Sequence, residues 1–251
     1  MTSTSPTTSA QPNGDTPLGL RIKLFADGAN SEQILKLAVD PSISGFTTNP
    51  TLMRSSGVSD YRAFAHELLT NVKHKPISFE VFADEPEDMY HQAKEIASWG
   101  SNVYVKIPVT NTRGESSVEV VRRLTQEGIQ VNVTAVFTLQ QVSEMAAAFQ
   151  GGAPGVVSVF AGRIADTGRD PVPHMEQVVK AASVAPTLEV LWASPREVLN
   201  LYQADLAGCH IITMTPDLLA KITLRNKDLG EYSQDTVKMF FTDANKAGYR
   251  L

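Results

Sequence analysis

The residues of this chain that could do chemistry are polar side chains set inside short apolar runs. Lys106 is the most unusual of them, because it lies in the run Asn-Val-Tyr-Val-Lys-Ile-Pro-Val, between Val105 and Ile107. A lysine is rarely buried without a partner. Burial disfavours the charged ammonium, so a fraction of such an amine is neutral and nucleophilic near neutral pH. An amine of this kind can attack a ketone and form an iminium, which lets the neighbouring carbon–carbon bond break.

That chemistry needs acid and base partners, and two carboxylates are candidates. Glu80 can hold a water that shuttles protons while the iminium forms and is hydrolysed, with Thr134 positioning the same water. Asp27 can take the proton from the substrate hydroxyl during cleavage. The alternative for Lys106 is a structural ion pair with Glu80. Asp27 could likewise serve only as a helix cap, and Thr134 only as a good strand former.

A second group of polar residues could bind the substrate. Asn49 and Asn132 could hold its hydroxyl groups. Arg163 and Arg196 could clamp a phosphate, because arginine suits the bidentate binding of oxyanions. The alternative for both arginines is a solvated surface position. The other polar residues at equivalent depth in their runs are Thr47, Ser158 and Ser194.

The elements that must position these residues follow a repeated pattern of an apolar run and a helical stretch. Eight runs are predicted to be strands: 21–27, 45–49, 77–83, 103–109, 131–137, 156–162, 189–194 and 210–215. Several are apolar throughout, which is typical of parallel strands buried on both faces. The polar candidates lie in the middle or at the C-terminal end of these runs, where α/β barrels place their catalytic groups.

The stretches between the runs have helical periodicity or helix-start signals. They are 31–39, 59–72, 85–99, 116–127, 139–149, 173–185, 195–206 and 216–222, and a last helix is predicted near 234–246. This alternation predicts a single-domain (β/α)₈ TIM barrel over residues 20–251, with an extra C-terminal helix. An open doubly wound sheet is the alternative, but no glycine-rich phosphate loop follows the first strand. Residues 1–19, rich in Ser, Thr and Pro, are expected to be a disordered tail.

The composition argues against several other classes of protein. The 251 residues carry a formal net charge of −5, which disfavours a nucleic acid or an anionic membrane as the main partner. The single cysteine, Cys209, excludes a disulfide within the chain and a multi-cysteine metal site, and we expect it to be a small buried hydrophobic residue. The chain contains no apolar run of membrane-spanning length. We therefore expect a cytoplasmic enzyme without a metal.

Seven short segments carry a family resemblance. They are Leu24-Phe-Ala-Asp27, Gly45-Phe-Thr-Thr-Asn-Pro-Thr51, Phe79-Glu-Val81, Val105-Lys-Ile-Pro-Val-Thr110, Asn132-Val-Thr-Ala135, Arg163 and Ala193-Ser-Pro-Arg196. Together they resemble the transaldolases, in the small-subunit branch that also holds the fructose-6-phosphate aldolases. The order and spacing of the Thr-Thr-Asn-Pro and Val-Lys-Ile-Pro-Val-Thr runs make the resemblance specific, and it spans about residues 21–248.

The resemblance implies a role for each matching residue. Lys106 matches the Schiff-base lysine, Asp27 the general acid/base, and Glu80 with Thr134 the pair that binds the catalytic water. The substrate-positioning shell matches Thr47, Asn49 and Asn132, and the hydroxyl and phosphate contacts match Ser158, Arg163, Ser194 and Arg196. The implied reaction, in the pentose phosphate pathway, moves a dihydroxyacetone unit from a ketose phosphate to an aldose phosphate without metal or organic cofactor. Two departures adjoin the site: Asp27 is followed by Gly-Ala-Asn, and Pro195 stands where an aromatic residue is common.

Three functions stay open at this point: a transaldolase, a direct aldolase that releases free dihydroxyacetone, and a catalytically inactive barrel used for binding. Glu80 favours the transaldolase, because the resemblance implies Gln at this position in the aldolase branch. Phe160 also favours the transaldolase, because the resemblance implies Tyr there in the aldolase branch, and a phenol can protonate the enamine. Asn132 favours the transaldolase as well. The presence of Lys106, Glu80 and Asp27 together counts against an inactive barrel.

The C-terminal segment 235–251 predicts an association between copies. It places Val237, Phe240, Phe241 and Ala244 at helical spacing, beyond the eighth strand. Such a helix can cover its own barrel or pack on a neighbour. The resemblance implies the second case, and with it a homo-oligomer, a ring-like pentamer or decamer.

Overall fold

Each of the eight apolar runs forms a parallel strand, and the strands close into a barrel in the order of the sequence. The computed structural model describes residues 18–251, so most of the predicted N-terminal tail lies outside the described residues. The strands are β1 (Lys23–Asp27), β2 (Ile43–Thr47), β3 (Ile77–Glu80), β4 (Val103–Pro108), β5 (Val131–Val136), β6 (Gly155–Val159), β7 (Leu188–Trp192) and β8 (Ile211–Met214). The predicted (β/α)₈ barrel is confirmed.

The helices that follow the strands cover the outside of the barrel. They are α1 (Ser31–Ala38), α2 (Pro50–Ser55), α3 (Tyr61–Asn71), α4 (Pro86–Ala97), α5 (Val118–Gln126), α6 (Leu139–Phe149), α7 (Ala161–Asp166), α8 (Val172–Ala182), α9 (Leu199–Leu206), α10 (Pro216–Lys221) and α11 (Leu229–Ala247). The extra C-terminal helix is confirmed as α11. Nine of these were predicted, with bounds shifted by a few residues.

Two short helices, α2 and α7, were predicted as the ends of strands or as loops. Asn49 was assigned to a strand, but its side chain accepts the backbone N–H of Leu52 and so caps α2, with Pro50 in the first helical position. Arg163 was grouped with the strand predicted to end at residue 162, whereas it lies in α7. Neither difference changes the end of the barrel at which these side chains lie.

The strands present an apolar layer and a polar layer to the inside of the barrel. Five buried residues form a separate apolar cluster there, with Tyr104 and Phe160 packed against it: Phe25, Val156, Leu191, Ala193 and Ile211. Gly45 faces this cluster, and a Cβ at that position would lie 2.5 Å from the ring of Phe25, so only glycine leaves room for that ring. Because alternate residues share a face, the positions two residues beyond this layer also point inward. These are the polar residues of the site.

The α11 helix is the exception to this packing. It starts at an Asp228 cap and ends at Gly248, whose left-handed backbone (φ 68°) suits glycine. None of its residues is buried, and it exposes Tyr232, Val237, Phe240 and Phe241. No helix in residues 18–251 combines the length and apolar character needed to cross a membrane.

Candidate active site

A cavity of about 410 Å³ opens at the C-terminal ends of the strands. Ten of the twelve predicted site residues line it: Asp27, Thr47, Asn49, Glu80, Lys106, Thr134, Ser158, Phe160, Arg163 and Ser194. The remaining residues of its wall are Pro50, Thr51, Leu52, Ala135, Ala193 and Thr213. The barrel thus gathers into one cavity residues that are widely separated in sequence.

The amine of Lys106 is enclosed at the base of this cavity. Its side chain is 8% exposed, and its Nζ lies 3.2 Å from Oε2 of Glu80. Lys106 and Glu80 are register partners on β4 and β3, so the backbone of the sheet places the two groups side by side. The Nζ also donates a hydrogen bond to the backbone carbonyl of Thr48 over 3.0 Å. The ion pair considered from the sequence is therefore present, and it lies inside the cavity rather than apart from it.

Asp27 forms the second carboxylate of the cavity, on β1. Its Oδ1 accepts a hydrogen bond of 2.7 Å from the hydroxyl of Thr47, its register partner on β2. Burial raises the pKa of Asp27, and the nearby Lys106 charge and the Thr47 hydrogen bond lower it in part. The net direction is upward, which suits a carboxyl group that exchanges protons.

Thr134 holds a buried hydroxyl with no hydrogen-bond partner among the described residues. Buried hydroxyls in proteins are nearly always paired, with protein or with ordered water. An oxygen atom in the cavity, from a water or a substrate, would satisfy this group. The next residue, Ala135, has left-handed backbone (φ 59°), and the pairing of β5 with β6 shifts register between Val133 and Val136. This irregularity sets the local direction in which β5 presents its side chains.

Asn132 is buried below the cavity and is not part of its wall. Its amide Nδ2 donates to the hydroxyl of Ser78 over 2.9 Å, and its Oδ1 accepts from Ser158 over 2.7 Å. It therefore links β3 to β6 through the inside of the barrel. In this arrangement Asn132 orients Ser158, which does line the cavity.

The two predicted phosphate-binding arginines occupy different positions. Arg163 lines the cavity, and its guanidinium lies 5.1 Å from the centre of the Phe160 ring. Arg196 is not part of the wall and is paired with Asp166, with its Nε 3.1 Å from a carboxylate oxygen. Only Arg163 reaches the cavity directly.

The wall near these arginines depends on a close backbone approach. A Cβ on Gly162 would lie 1.5 Å from the carbonyl oxygen of Ser194, so α7 can meet the end of β7 only with glycine there. Ser194 itself has left-handed backbone (φ 57°). Such a conformation costs a non-glycine residue about 1–2 kcal/mol, and outliers of this kind cluster at functional sites.

Two residues that the sequence interpretation overlooked belong to the site. Thr213 lines the cavity, and its hydroxyl oxygen lies 2.6 Å from that of Thr47. Ser78 is the partner of Asn132. Both are polar residues inside apolar strands, at the same depth as the residues that were singled out. That signal was available for both of them.

The arrangement combines an enclosed amine, two carboxylates, several hydroxyls and an arginine at the mouth. An amine beside a carboxylate can attack a ketone and pass on protons, and the arginine can bind an anionic group of the substrate. Within residues 18–251, no group of three or more His, Cys, Asp or Glu side chains is close enough to hold a metal ion.

Comparison with known proteins gives a consistent result. The family model described as Transaldolase/Fructose-6-phosphate aldolase matches residues 24–251. A "Probable transaldolase" of Dehalococcoides mccartyi is 35% identical over 205 residues, covering 80% of this chain and 90% of that protein. Another of the same name, from a Thermoanaerobacter species, is 34% identical over 232 residues, covering 92% and 100%. A solved mandelate oxidase structure is similar in fold alone, with a TM-score of 0.53, 15% identity, and 77% and 65% coverage.

Proposed function

The chain belongs to the transaldolase/fructose-6-phosphate aldolase family and is an enzyme of that family, and we propose that it transfers a dihydroxyacetone unit from a ketose phosphate to an aldose phosphate through a Schiff base on Lys106. The observation that carries this proposal is the placement of Lys106. Its enclosed amine lies 3.2 Å from Glu80, in a cavity that also holds Asp27 and Arg163.

The reaction begins with attack of the Lys106 amine on the carbonyl carbon of the ketose. Glu80 accepts a proton from the ammonium, and the neutral nitrogen forms a bond to the carbon, giving a carbinolamine. Loss of the hydroxyl group as water leaves an iminium. A water between Glu80 and the unpaired hydroxyl of Thr134 carries the protons of these steps.

Cleavage requires a base at the hydroxyl group on the fourth carbon. Asp27 takes that proton, the bond between the third and fourth carbons breaks, and its electron pair moves into the iminium to form an enamine. The aldose phosphate leaves, and a second aldose enters. The same steps then run in reverse, with Asp27 returning its proton. Arg163 holds the phosphate of each aldose at the mouth of the cavity.

Transfer rather than release depends on the lifetime of the enamine. A proton donor facing the enamine carbon would convert the enamine to the iminium of dihydroxyacetone, and hydrolysis of that iminium would release free dihydroxyacetone and return the Lys106 amine. Phe160 lines the cavity and has no hydroxyl to supply that proton. This supports transfer over direct aldol cleavage, which is the second candidate function of this family.

The proposal is tested by trapping the intermediate. Incubation with a ketose phosphate and borohydride is expected to add the mass of the reduced three-carbon fragment to the peptide that contains Lys106. Lys106→Met should abolish both labelling and turnover. Lys94→Met is the matched control, because Lys94 is an exposed helical lysine paired with Glu127. Labelling that persists without the Lys106 amine would show that another group carries the substrate.

We also propose that the protein is a homo-oligomer. In proteins, most of the stability of a helix comes from the packing of its apolar face. The apolar side chains that α11 exposes make it a suitable element for contact with a second copy.

A further inference from the structure

Thr213 is a polar residue of the cavity wall to which the steps above give no task. It lies on β8, and 5% of it is exposed. Its hydroxyl oxygen is 2.6 Å from that of Thr47, and the Thr47 hydroxyl donates to Oδ1 of Asp27 over 2.7 Å. Side chains from three neighbouring strands therefore form one hydrogen-bonded chain that ends on a carboxylate.

The strand register fixes the positions of the three side chains in this series of hydrogen bonds. Asp27 pairs with Thr47 on one side of β1, and Phe25 pairs with Thr213 on the other side. Phe25 and Asp27 are two residues apart, so they share the inner face of β1. The hydroxyls of Thr47 and Thr213 thus meet across that face. Both threonines have stiff β-branched side chains, and both are buried, so the contact does not depend on a mobile side chain.

A count of protons gives the direction of both hydrogen bonds. A threonine hydroxyl has one hydrogen to donate, and an ionised carboxylate can only accept. When Asp27 is ionised, the hydrogen of Thr47 is committed to Oδ1. The contact between the two threonines then requires Thr213 to donate to Thr47. Among the described residues, Thr213 is the donor that can reach that oxygen, and Oδ2 of Asp27 receives no hydrogen bond.

We propose that Thr213 is a positioning residue that acts through Thr47 to hold Asp27 ionised, with Oδ2 directed at the substrate hydroxyl. This rests on the proposed function only for the identity of the proton that Asp27 takes. Hydrogen bonds in series polarise one another, so donation by Thr213 strengthens donation by Thr47. A hydrogen bond to the charged form of a carboxyl group favours that form. The hydrogen bonds from Thr213 through Thr47 to Asp27 therefore offset part of the penalty that burial imposes on the ionised state of Asp27.

The other charged groups of the cavity constrain how this can be tested. Lys106 on β4, Glu80 on β3 and Arg163 on α7 line the same cavity as Asp27. Lys106 in particular lowers the pKa of Asp27. Substitutions at Thr213 leave all three charges unchanged, so a shift in the titration of Asp27 would come from the hydroxyl chain.

The experiment compares Thr213→Val, which keeps the shape but removes the hydroxyl, with Thr213→Ser, which keeps the hydroxyl. The readout is the pH profile of kcat/KM for transfer from a ketose phosphate. We expect the acidic limb for Thr213→Val to move upward by about 0.5 to 1 pH unit, because one hydrogen bond to the ionised form is weakened. The Thr213→Ser profile should match the wild type. Borohydride trapping at Lys106, measured at a pH well above the acidic limb, should be unchanged in both variants.

A titration of the Asp27 carboxyl carbon by NMR, without substrate, provides an independent measurement on the same proteins. The same upward shift is expected there. If Thr213→Val does not fold, Thr213→Ala carries the same expectation. An unshifted titration, an equal loss of rate at every pH, or equal behaviour of Thr213→Ser and Thr213→Val would overturn the inference. Failure of the wild type to trap any ketose phosphate would instead overturn the proposed function, and the NMR titration would still decide the role of Thr213.

Discussion

The Nζ of Lys106 lies 3.0 Å from the backbone carbonyl oxygen of Thr48, slightly closer than the 3.2 Å to the nearest oxygen of Glu80. A backbone carbonyl does not titrate and cannot rotate away, so this acceptor is the same before and after the amine loses its proton. Thr48 is fully buried, and its hydroxyl donates to the carbonyl of Ser78 over 2.8 Å. This hydrogen bond joins Thr48, which directly follows β2, to β3, and so fixes the position of the carbonyl that accepts from the Lys106 amine.

Thr48→Val is therefore expected to slow the formation of the trapped Lys106 adduct by about tenfold. The variant removes one donor to a buried carbonyl and so loosens the position of Thr48, and a loss of about 1.4 kcal/mol of stabilisation in the transition state corresponds to that factor in rate. The measurement is the single-turnover rate of borohydride trapping. Thr48→Ser retains the hydroxyl and should trap at close to the wild-type rate. Equal rates in all three proteins would show that the Thr48 hydroxyl does not affect the reactivity of Lys106.

Phe160→Tyr is expected to raise the release of free dihydroxyacetone relative to transfer. The added phenol lies in the cavity wall and can donate a proton to the enamine carbon. A tenfold change in partition needs only about 1.4 kcal/mol between two barriers. The measurement is the ratio of free dihydroxyacetone to transferred product at fixed acceptor concentration, with Phe160→Leu as the control that adds no donor. A wild type that already releases faster than it transfers would favour the direct aldolase.

Asp27→Asn is expected to reduce transfer by about 100-fold or more, because loss of a positioned base costs about 10²–10⁴ in rate. The same change should raise the stability at neutral pH. The pKa of Asp27 is raised by burial, so its ionised form destabilises the fold as the pH rises through the folded value. Below the ordinary pKa of an aspartate, both folded and unfolded states are protonated and the gain disappears. Thermal unfolding of both proteins across that pH range tests the sign, and a gain that grows toward low pH would contradict it.

Gly162→Ala is expected to destabilise the protein by about 1–3 kcal/mol, the usual cost of forcing atoms into a packed region. Its Cβ would overlap the Ser194 carbonyl, so α7 must move away from β7 and carry Arg163 with it. We expect a higher KM for phosphorylated substrates as well as a lower Tm. Gly28→Ala is the control, because Gly28 directly follows Asp27 in sequence and its Cβ would meet nothing within 4 Å. Similar effects of both substitutions would argue against the steric explanation.

Phe241→Glu is expected to weaken association between copies. Phe241 is 71% exposed on α11 in the single chain. The substitution can therefore weaken association only if the assembly buries this side chain. A carboxylate placed in an apolar interface is costly. Light scattering at micromolar concentration should show a wild-type mass of several chains and a smaller mass for the variant. Gln234→Glu, at an exposed polar position of the same helix, adds the same single negative charge and controls for the change of charge alone. A wild type of about 27 kDa would refute the homo-oligomer.

Much of the fold follows from local sequence patterns. The eight apolar runs, each followed by a helical period, are enough to predict the barrel, because parallel strands and crossover helices have few ways of closing. Lys106, Glu80 and Asp27 could also be singled out, since an ionisable group in an apolar strand is costly unless it is paired or used. Helix α7 and the capping role of Asn49 were not foreseen, because a short helix directly after a strand has no periodicity of its own.

The contacts between strands were decided by the tertiary structure alone. The sequence identified both candidate arginines, but only the fold directs Arg163 into the cavity and pairs Arg196 with Asp166. The sequence likewise could not show that Thr213 contacts Thr47, because the two residues lie 166 positions apart and are brought together by the pairing of β8 with β1. Residue type is a local property that a sequence records directly. Which hydroxyl donates to which carboxylate depends on strand register and barrel closure, and these arise only when the whole chain packs.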